Sequence, residues 1–388
     1  MAGIVLNGIT WGHSRGITPL VALSQRYSEL HPDIEIRWKK RTLQEFADFP
    51  IEKLTEIYDL LIIDHPWVGC AAATNCVLPL DEYLSKEYLQ NQLDNSVGQS
   101  HISYNYNGHQ WALAIDAATP AASYRKDLLH QNNISLPQTW EDVLDMARLG
   151  KVAVPGIQID VLMNFFSFCI AHGKEPFQNE AEVIDMETGV KAIETMKELY
   201  SLIDKKMFYN NPIAVAELMT TTNDYWYCPF AYCYSNYSRA GYADRLLHYA
   251  DVISFKEKKL KTTIGGTGLA ISAFSQHKET AIDFAAMVAN SECQRTMYVQ
   301  HGRQPGNKSA WIDKDANHRT NNFFKTILPL MENGYLRPRY NGYLHFQDKA
   351  GEPLQQCLKT NGDSEKALNE INKIYRQSIT GKKLIVDV

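Results

Sequence analysis

The N-terminal part of the chain switches between two hydrophobic periods. "GIVLNGITW", residues 3–11, reads as a strand, and Leu20, Leu23, Tyr27 and Leu30 then recur at helical spacing, with Pro19 in an early turn that tolerates it. "IEIRWKKR", residues 34–41, predicts a second strand. "YDLLIID", residues 58–64, is a short continuous apolar run ending in an acid, the pattern of a strand covered on both faces by helices. The order β-α-β-α-β predicts an α/β fold whose sheet is largely parallel.

Further along, "NGHQWALAIDAATPAASY", residues 107–124, carries a turn, a strand and then Pro120. Thr139 with Asp142 three residues on forms a capping box that opens a helix through Val143 and Ala147. Val190, Ile193, Met196, Leu199 and Ile203 make one apolar helical face. "TTIGGTGLAIS", residues 262–272, predicts a turn and strand, and helices return at 278–289 and 365–375. No internal repeat or low-complexity linker interrupts this order, so crossovers between lobes are expected to be ordered strands.

Length turns this pattern into a two-body expectation, because 388 residues exceed the roughly 250 to 300 at which a single core stops growing. With 45% hydrophobic and 21% charged residues the composition is that of a soluble globular protein. A net charge of −5, scattered along the chain, offers no basic footprint for nucleic acid. The longest apolar stretch, starting at Val161, is broken by Asn164 and Ser167 and falls short of the about 20 residues a membrane span needs. The N-terminus enters its first strand with no basic segment, apolar run and cleavage site ahead of it. An extracytoplasmic location is therefore expected if an export signal has been removed, and a cytoplasmic one otherwise. Seven cysteines without framework spacing lean toward a reducing compartment. Cys228 and Cys233, an odd separation apart on an extended segment, point to opposite faces and are expected to be buried apolar groups.

Three stretches carry candidate chemistry. "GHSRG", residues 12–16, matches a G-x-S-x-G elbow between a strand and a helix, which would make Ser14 a nucleophile. Such an elbow normally follows several strands, and here the chain has barely begun. A tight turn, or a polar rim in which His13, Ser14 and the first helical amides meet a ligand, fits better. "IGGTGLA" has Ile271 where the last glycine of a dinucleotide fingerprint belongs, so Gly265, Gly266 and Gly268 are expected to allow close backbone approach. No zinc, calcium or HExxH pattern occurs in the sequence, and no cofactor or metal is expected. Finally, "NDYWYCPFAYCYSNYS", residues 223–238, packs five Tyr, one Trp and one Phe into one segment. Five phenols need partners or water, which favours a wet, aromatic-lined cleft over a dry interior. Pro229 predicts an edge strand or a break.

Several segments in order resemble the carbohydrate-type solute-binding proteins of ABC importers, the family that includes maltose-binding protein. They are "YDLLIIDHPWVG" with "VLPLDEYL", "YNGHQWALAIDAATPAASYRKDLL", "LPQTWEDVLDMA", "CPFAYCYSNYS", "IGGTGLAIS", "HKETAIDFAAMVANSECQ" and "LRPRYNGYLHFQ", and together they cover nearly the whole chain. The resemblance implies a two-lobed, periplasmic-binding-protein type II fold, each lobe a mainly parallel sheet flanked by helices. It implies a first lobe at 1–114 and 268–318, a second at 119–261 and 319–388, and hinge crossovers at 115–118 and 262–267. A monomer would close by hinge motion on a small polar solute, carbohydrate first and quaternary ammonium second, in partnership with a membrane permease.

Carried over by position, the ligand set is Trp11, His13, Asp64, His65 and Trp67 from the first lobe and Asp116 at the crossover. Asp160, Phe230 and Tyr232 come from the second lobe, Gly266 and Thr267 from the return crossover, and Arg339 and Tyr343 from the late segment. Rings would grip the C–H faces of a sugar and carboxylates would accept from its hydroxyls. Trp11 and Trp67 are equally readable as core, and Arg339 as the partner of a surface acid. The rival class is a cytosolic sensor or enzyme on the same fold, or a serine hydrolase using Ser14.

Overall fold

The computed structural model describes residues 3–41 and 51–380. Its principal elements, in chain order, are β1 (Ile4–Trp11), α1 (Ser14–Leu30), β2 (Ile34–Arg41), β3 (Leu60–Ile63), β4 (Leu113–Ala118), β5 (Pro120–Tyr124), α2 (Trp140–Arg148), α3 (Gln158–Ala171), α4 (Met186–Tyr200), β6 (Tyr227–Tyr232), β7 (His248–Ala250), β8 (Gly265–Ile271), α5 (Lys278–Ala289), α6 (Tyr343–Thr360) and α7 (Ser364–Thr380). They fall into two compact units. The first holds the described residues up to Ala118, with Ile264–Glu332 and Arg339–Asn341. The second holds Thr119–Thr263, Asn333–Pro338 and the described residues from Gly342 onward.

In the first unit the strand order is β2-β1-β3-β8-β4. β1 pairs in parallel with β2 and β3, whereas β8 is antiparallel to both β3 and β4. Alternation along the strands sends Leu6, Leu60, Ile62, Leu113, Ile115, Leu269 and Ile271 to one buried face. There they meet Leu20, Leu23 and Tyr27 of α1 and Ala281, Phe284 and Val288 of α5. Leu61 and Ile63, on the opposite face of β3, are also buried, as the continuous apolar run of that strand requires. Tyr27 meets the Phe284 ring edge-on at 5.3 Å and donates to Asp283 at 2.7 Å, so the helix pair is fixed by one apolar and one polar contact.

The second unit combines a three-stranded sheet, β6-β5-β7, with helices α3, α4, α6 and α7, which pack on one another, and α3 reaches the sheet through Phe168 and Phe230. Every residue of α3 from Asp160 to Cys169 is buried, which makes it the central helix of this unit. Phe168 meets Trp140, Phe230 and Phe255 edge-on, and Phe177 meets Phe166, Tyr343, Phe346 and Tyr375 in the same way. The predicted capping box is formed by Thr139 and Asp142.

Three expectations are corrected. Both sheets are mixed or antiparallel where mainly parallel pairing was expected: β5 pairs antiparallel with β6 and β7, and parallel pairing in the second unit survives as bridges such as Val152 with Tyr227. Residues 319–332, expected with the second lobe, belong to the first unit, because Phe323 and Phe324 pack on Trp311 at ring distances of 6.3 and 5.2 Å. The tyrosine-rich segment is largely interior. Tyr225, Tyr227, Phe230, Tyr234 and Tyr237 are buried, and Trp226 and Tyr232 are partly exposed.

The phenols escape the desolvation cost by local pairing rather than by facing water. Tyr237 donates to Glu217 at 2.7 Å and Tyr225 to Asp204 at 3.1 Å, while the Tyr249 hydroxyl donates to the Tyr234 carbonyl at 2.9 Å. Pro229 sits where the β5–β6 register slips between Ala121 and Ser123, on the outer strand of the sheet. Tyr227 is different: its hydroxyl is buried with no hydrogen-bond partner among the described residues.

These two tyrosines therefore respond oppositely to loss of the hydroxyl. Tyr237→Phe removes the hydroxyl's bond to the carboxylate of Glu217, an exposed residue that water can solvate again, and is expected to lower the unfolding free energy by about 1 kcal/mol. Tyr227→Phe removes an unsatisfied group and is expected to leave stability unchanged or raise it. Urea unfolding midpoints of the two variants against the parent measure both outcomes.

Candidate functional site

Sheet register alone gathers five of the thirteen candidate residues. β1 and β3 are parallel, so Trp11 and Asp64 leave their carboxyl ends at the same edge. β8 runs the other way with Gly268 opposite Ile63, which carries Gly265–Thr267 past the end of β3 at that edge. β4 completes the row by pairing Asp116, Ala117 and Ala118 with Thr267, Gly266 and Gly265. Gly266 has a φ of +120°, and a methyl there would overlap the Asp116 carbonyl, so close backbone approach is the reason for this glycine.

The interior of this edge is a charge knot. Asp116 accepts from Arg15 Nε at 3.1 Å through Oδ2 and from Arg15 Nη2 through Oδ1, and Arg303 Nε lies 3.0 Å from the same Oδ2 as a second ion pair. All three side chains are essentially buried. Arg303 also donates to the carbonyls of Arg15 and Gly16, at 3.0 and 2.6 Å, and to Thr267 Oγ1. Its guanidinium stacks 4.6 Å from the Trp11 ring, whose other neighbour is the Gly16 backbone. Asp116, Thr267 and Trp11 are thus committed to this knot as placed, which corrects the expectation that they present themselves to a ligand.

His13 and Asp64 follow the carboxyl ends of β1 and β3 at this edge. His13 caps α1: its Nδ1 accepts the Arg15 N–H at 3.0 Å, which puts the ring proton on Nε2. Burial, reinforced by the Arg15 charge, lowers its pKa to about 4, so the ring is a neutral donor at ordinary pH. Ser14, the first residue of α1, is partly exposed beside it. Asp64 is partly exposed, accepts the His65 N–H at 2.8 Å and caps the short turn His65–Trp67. His65 and Trp67 themselves are buried, His65 edge-on to Tyr104. Arg339 donates from Nη1 to the carbonyls of Ile102, Ser103 and Asn105, at 2.8, 3.1 and 2.6 Å. It therefore straps the late segment to the first unit through carbonyls, where a surface acid was the alternative, and the segment passes so close to Gly69 that a methyl there would overlap the Arg339 carbonyl.

In the second unit the polar residues cluster where the chain enters and leaves. The Tyr232 hydroxyl is 2.9 Å from Thr263 Oγ1, and Thr119 Oγ1 is 2.8 Å from Thr262 Oγ1 and donates to the Thr263 carbonyl at 3.1 Å. Phe230 and Tyr343 lie in the aromatic interior, which corrects their expected role as exposed rings. Asp160 stands in the first turn of α3, buried, with Oδ2 lacking any hydrogen-bond partner among the described residues. Burial pushes its pKa up to about 8.

Arg15, Arg303, Thr119, Thr262 and Thr263 were not singled out from the sequence. Arg303 could not have been, because its carbonyl partner Arg15 is 288 positions away. The threonines had a weak signal, since Thr262 and Thr263 adjoin the glycine stretch already marked for close approach.

With this geometry in view, comparison with known proteins is direct. The structure superposes on maltose-bound T. maritima MalE3 with a TM-score of 0.85 at 18% identity, covering 96% of this chain and 99% of that one. It matches a ribitol complex of an ABC transporter solute-binding protein from Agrobacterium radiobacter K84 with a TM-score of 0.83 at 19% identity, over 97% and 98% of the two chains. These likenesses establish the fold of two-lobed solute-binding proteins. A maltotriose-binding protein of Pyrococcus abyssi is 26% identical over 125 residues, a stretch amounting to 32% of this chain and 26% of the relative. The chain belongs to the bacterial extracellular solute-binding protein family, whose model matches residues 50–323. The family and these neighbours are binding proteins, and no helix among the described residues is long and apolar enough to cross a membrane.

Asp160 gives this unit a measurable pH dependence. Its folded pKa lies above that of the unfolded chain, so between about pH 4 and pH 8 the folded state holds the extra proton and stability falls as pH rises. The slope is roughly 1.4 kcal/mol per pH unit at most. Asp160→Asn is expected to melt at or above the parent temperature at pH 8 and to lose that advantage toward pH 4. Thermal unfolding of both proteins across this range is the check.

Proposed function

We propose that this chain captures a small polar solute, a sugar or short oligosaccharide, outside the cytoplasm and delivers it unchanged to an ABC-type permease. The observation that carries the reading is the edge of the first unit. There a neutral imidazole donor, His13, and a carboxylate acceptor, Asp64, are held by parallel strand ends, beside the glycine-permitted approach of β8 to β4. A neutral donor beside a carboxylate acceptor suits hydroxyl groups, each of which costs about 1 to 3 kcal/mol if buried unpaired. Solved relatives carry maltose, ribitol and α-D-tagatose, which are the same chemical class. Ligand capture is coupled to hinge motion where the chain passes between units, at Ala118–Thr119 and Thr263–Ile264 and again within residues 332–342. The threonine cluster beside these passages supplies short hydroxyl contacts that can re-form after a small backbone rotation.

Ser14 belongs in this reading to the polar rim, next to the capping imidazole, and carries no covalent step. The working form is a monomer.

A thermal-shift screen of sugars, polyols and quaternary amines tests the proposal, since a ligand at a hundred times its dissociation constant adds about 2.7 kcal/mol of stability. A sugar or polyol is expected to raise the melting temperature, and His13→Ala and Asp64→Ala are each expected to weaken its binding at least tenfold. A response confined to quaternary amines would replace the carbohydrate assignment. Labelling by a serine-directed covalent probe that vanishes in Ser14→Ala would replace the binding assignment altogether.

A further inference from the structure

A second cluster of cationic groups lies in the second unit and plays no part in the reading above. Lys126, His130, Arg245 and His248, with Asp127 and Leu246, line an open groove of about 480 Å³. The pairing of β5 fixes its position. Pro120, at one end of that strand, lies opposite Tyr232, whereas Tyr124, at the other end, lies opposite His248. Four residue steps along a strand separate the groove from Tyr232 and the threonine cluster by roughly 13 Å.

The charge of the groove is settled by a buried neighbour. Asp127 is the one carboxylate among the lining residues, and it is already paired with Arg125, through Nε at 2.8 Å and Nη2 at 2.6 Å. Arg125 is buried and is further held by the carbonyls of Met219 and Thr222, both at 2.9 Å, so this pairing is fixed from beneath. Lys126 and Arg245 are therefore left as the uncompensated charges of the lining, in a chain whose total charge is −5. Arg245 is oriented by a 3.3 Å bond from Nη1 to the Thr221 carbonyl, which leaves its other guanidinium donors for a ligand. His248 lies against the Tyr124 ring at 5.7 Å, and burial, aided by the Lys126 charge, lowers its pKa, so it adds a neutral ring.

We propose that this groove binds a phosphate-bearing anion. An ammonium, a guanidinium and two imidazoles around one space offer more donors than the two oxygens of a carboxylate can use. A phosphate group presents three or more acceptor oxygens and up to two negative charges. The group can come from a soluble phosphate ester or from a phospholipid headgroup, and both use the same donors.

Calorimetric titration with inorganic phosphate at constant ionic strength tests this on the intact protein. Saturable binding near the millimolar range is expected, weakened about tenfold in Lys126→Gln and in Arg245→Gln. Both side chains are exposed, and circular dichroism of the variants reports whether the fold is kept. Co-sedimentation with phosphatidylcholine vesicles containing phosphatidic acid separates the sources. Vesicle binding competed by phosphate assigns the groove to a lipid headgroup, and phosphate binding without vesicle binding assigns it to a soluble ester. Absence of saturable phosphate binding, or binding unchanged when Lys126→Gln and Arg245→Gln are combined, overturns the proposal. Neither substitution touches the His13 and Asp64 rim, so failure here leaves the solute-capture reading standing.

Discussion

A single buried carboxylate organises the first unit. Asp116 on β4 faces two guanidiniums, Arg15 at the start of α1 and Arg303 beyond α5, so one negative charge holds three distant parts of the chain. The balance is one carboxylate against two cations, and the surplus is absorbed by the Arg15 and Gly16 carbonyls and by the faces of Trp11 and Tyr298. Removing the carboxylate would leave two guanidiniums without a counter-charge, a situation that typically costs about 3 to 5 kcal/mol. The end of β1, the cap of α1 and the start of β8 inherit their positions from this knot. His13 and Asp64 can therefore occupy a defined edge without being buried themselves.

That dependence explains which parts of the structure were legible in the sequence. The strands 3–11, 34–41 and 58–64 and the helices after Thr139 and at 278–289 announce themselves by period and capping, because local burial fixes both. Asp64 was legible for the same reason, as an acid closing an apolar strand. Asp116 was reached only through the family resemblance, as a crossover residue, and its two arginine partners were not. Nothing near position 303 in the chain indicates that its guanidinium will stack on Trp11, and without that contact Trp11 reads equally well as a ligand platform. The antiparallel placement of β8 was equally hidden, since alternation specifies which face is buried and says nothing of strand direction.

The aromatic segment teaches a sharper lesson about inferring exposure from polarity. Five phenols were expected to seek water, yet Tyr225 and Tyr237 are buried because a carboxylate reaches each hydroxyl. The acceptors, Asp204 and Glu217, lie 21 and 20 positions away on earlier elements, too far for a spacing rule to reveal. A hydroxyl needs a partner, and the sequence does not say whether that partner is protein or solvent. The family assignment consequently rests on the matched residues 50–323 and not on the tyrosines.

The two buried acids show how differently the units solve the same problem. In the first, the carboxylate of Asp116 has its solvation replaced by guanidinium donors, which is the expensive but well-satisfied arrangement. In the second, Asp160 sits at the start of α3 among apolar neighbours, and its neutral form is favoured by burial rather than by any paired charge. An acid kept neutral in this way offers a hydroxyl as well as a carbonyl, so it can both donate and accept, as sugars do. The rim of the first unit achieves the same pairing with two residues, a neutral imidazole to donate and a carboxylate to accept. Each unit thus holds a donor and an acceptor, and in both it is desolvation that keeps the titratable donor neutral at ordinary pH, acting on an acid in one and on an imidazole in the other.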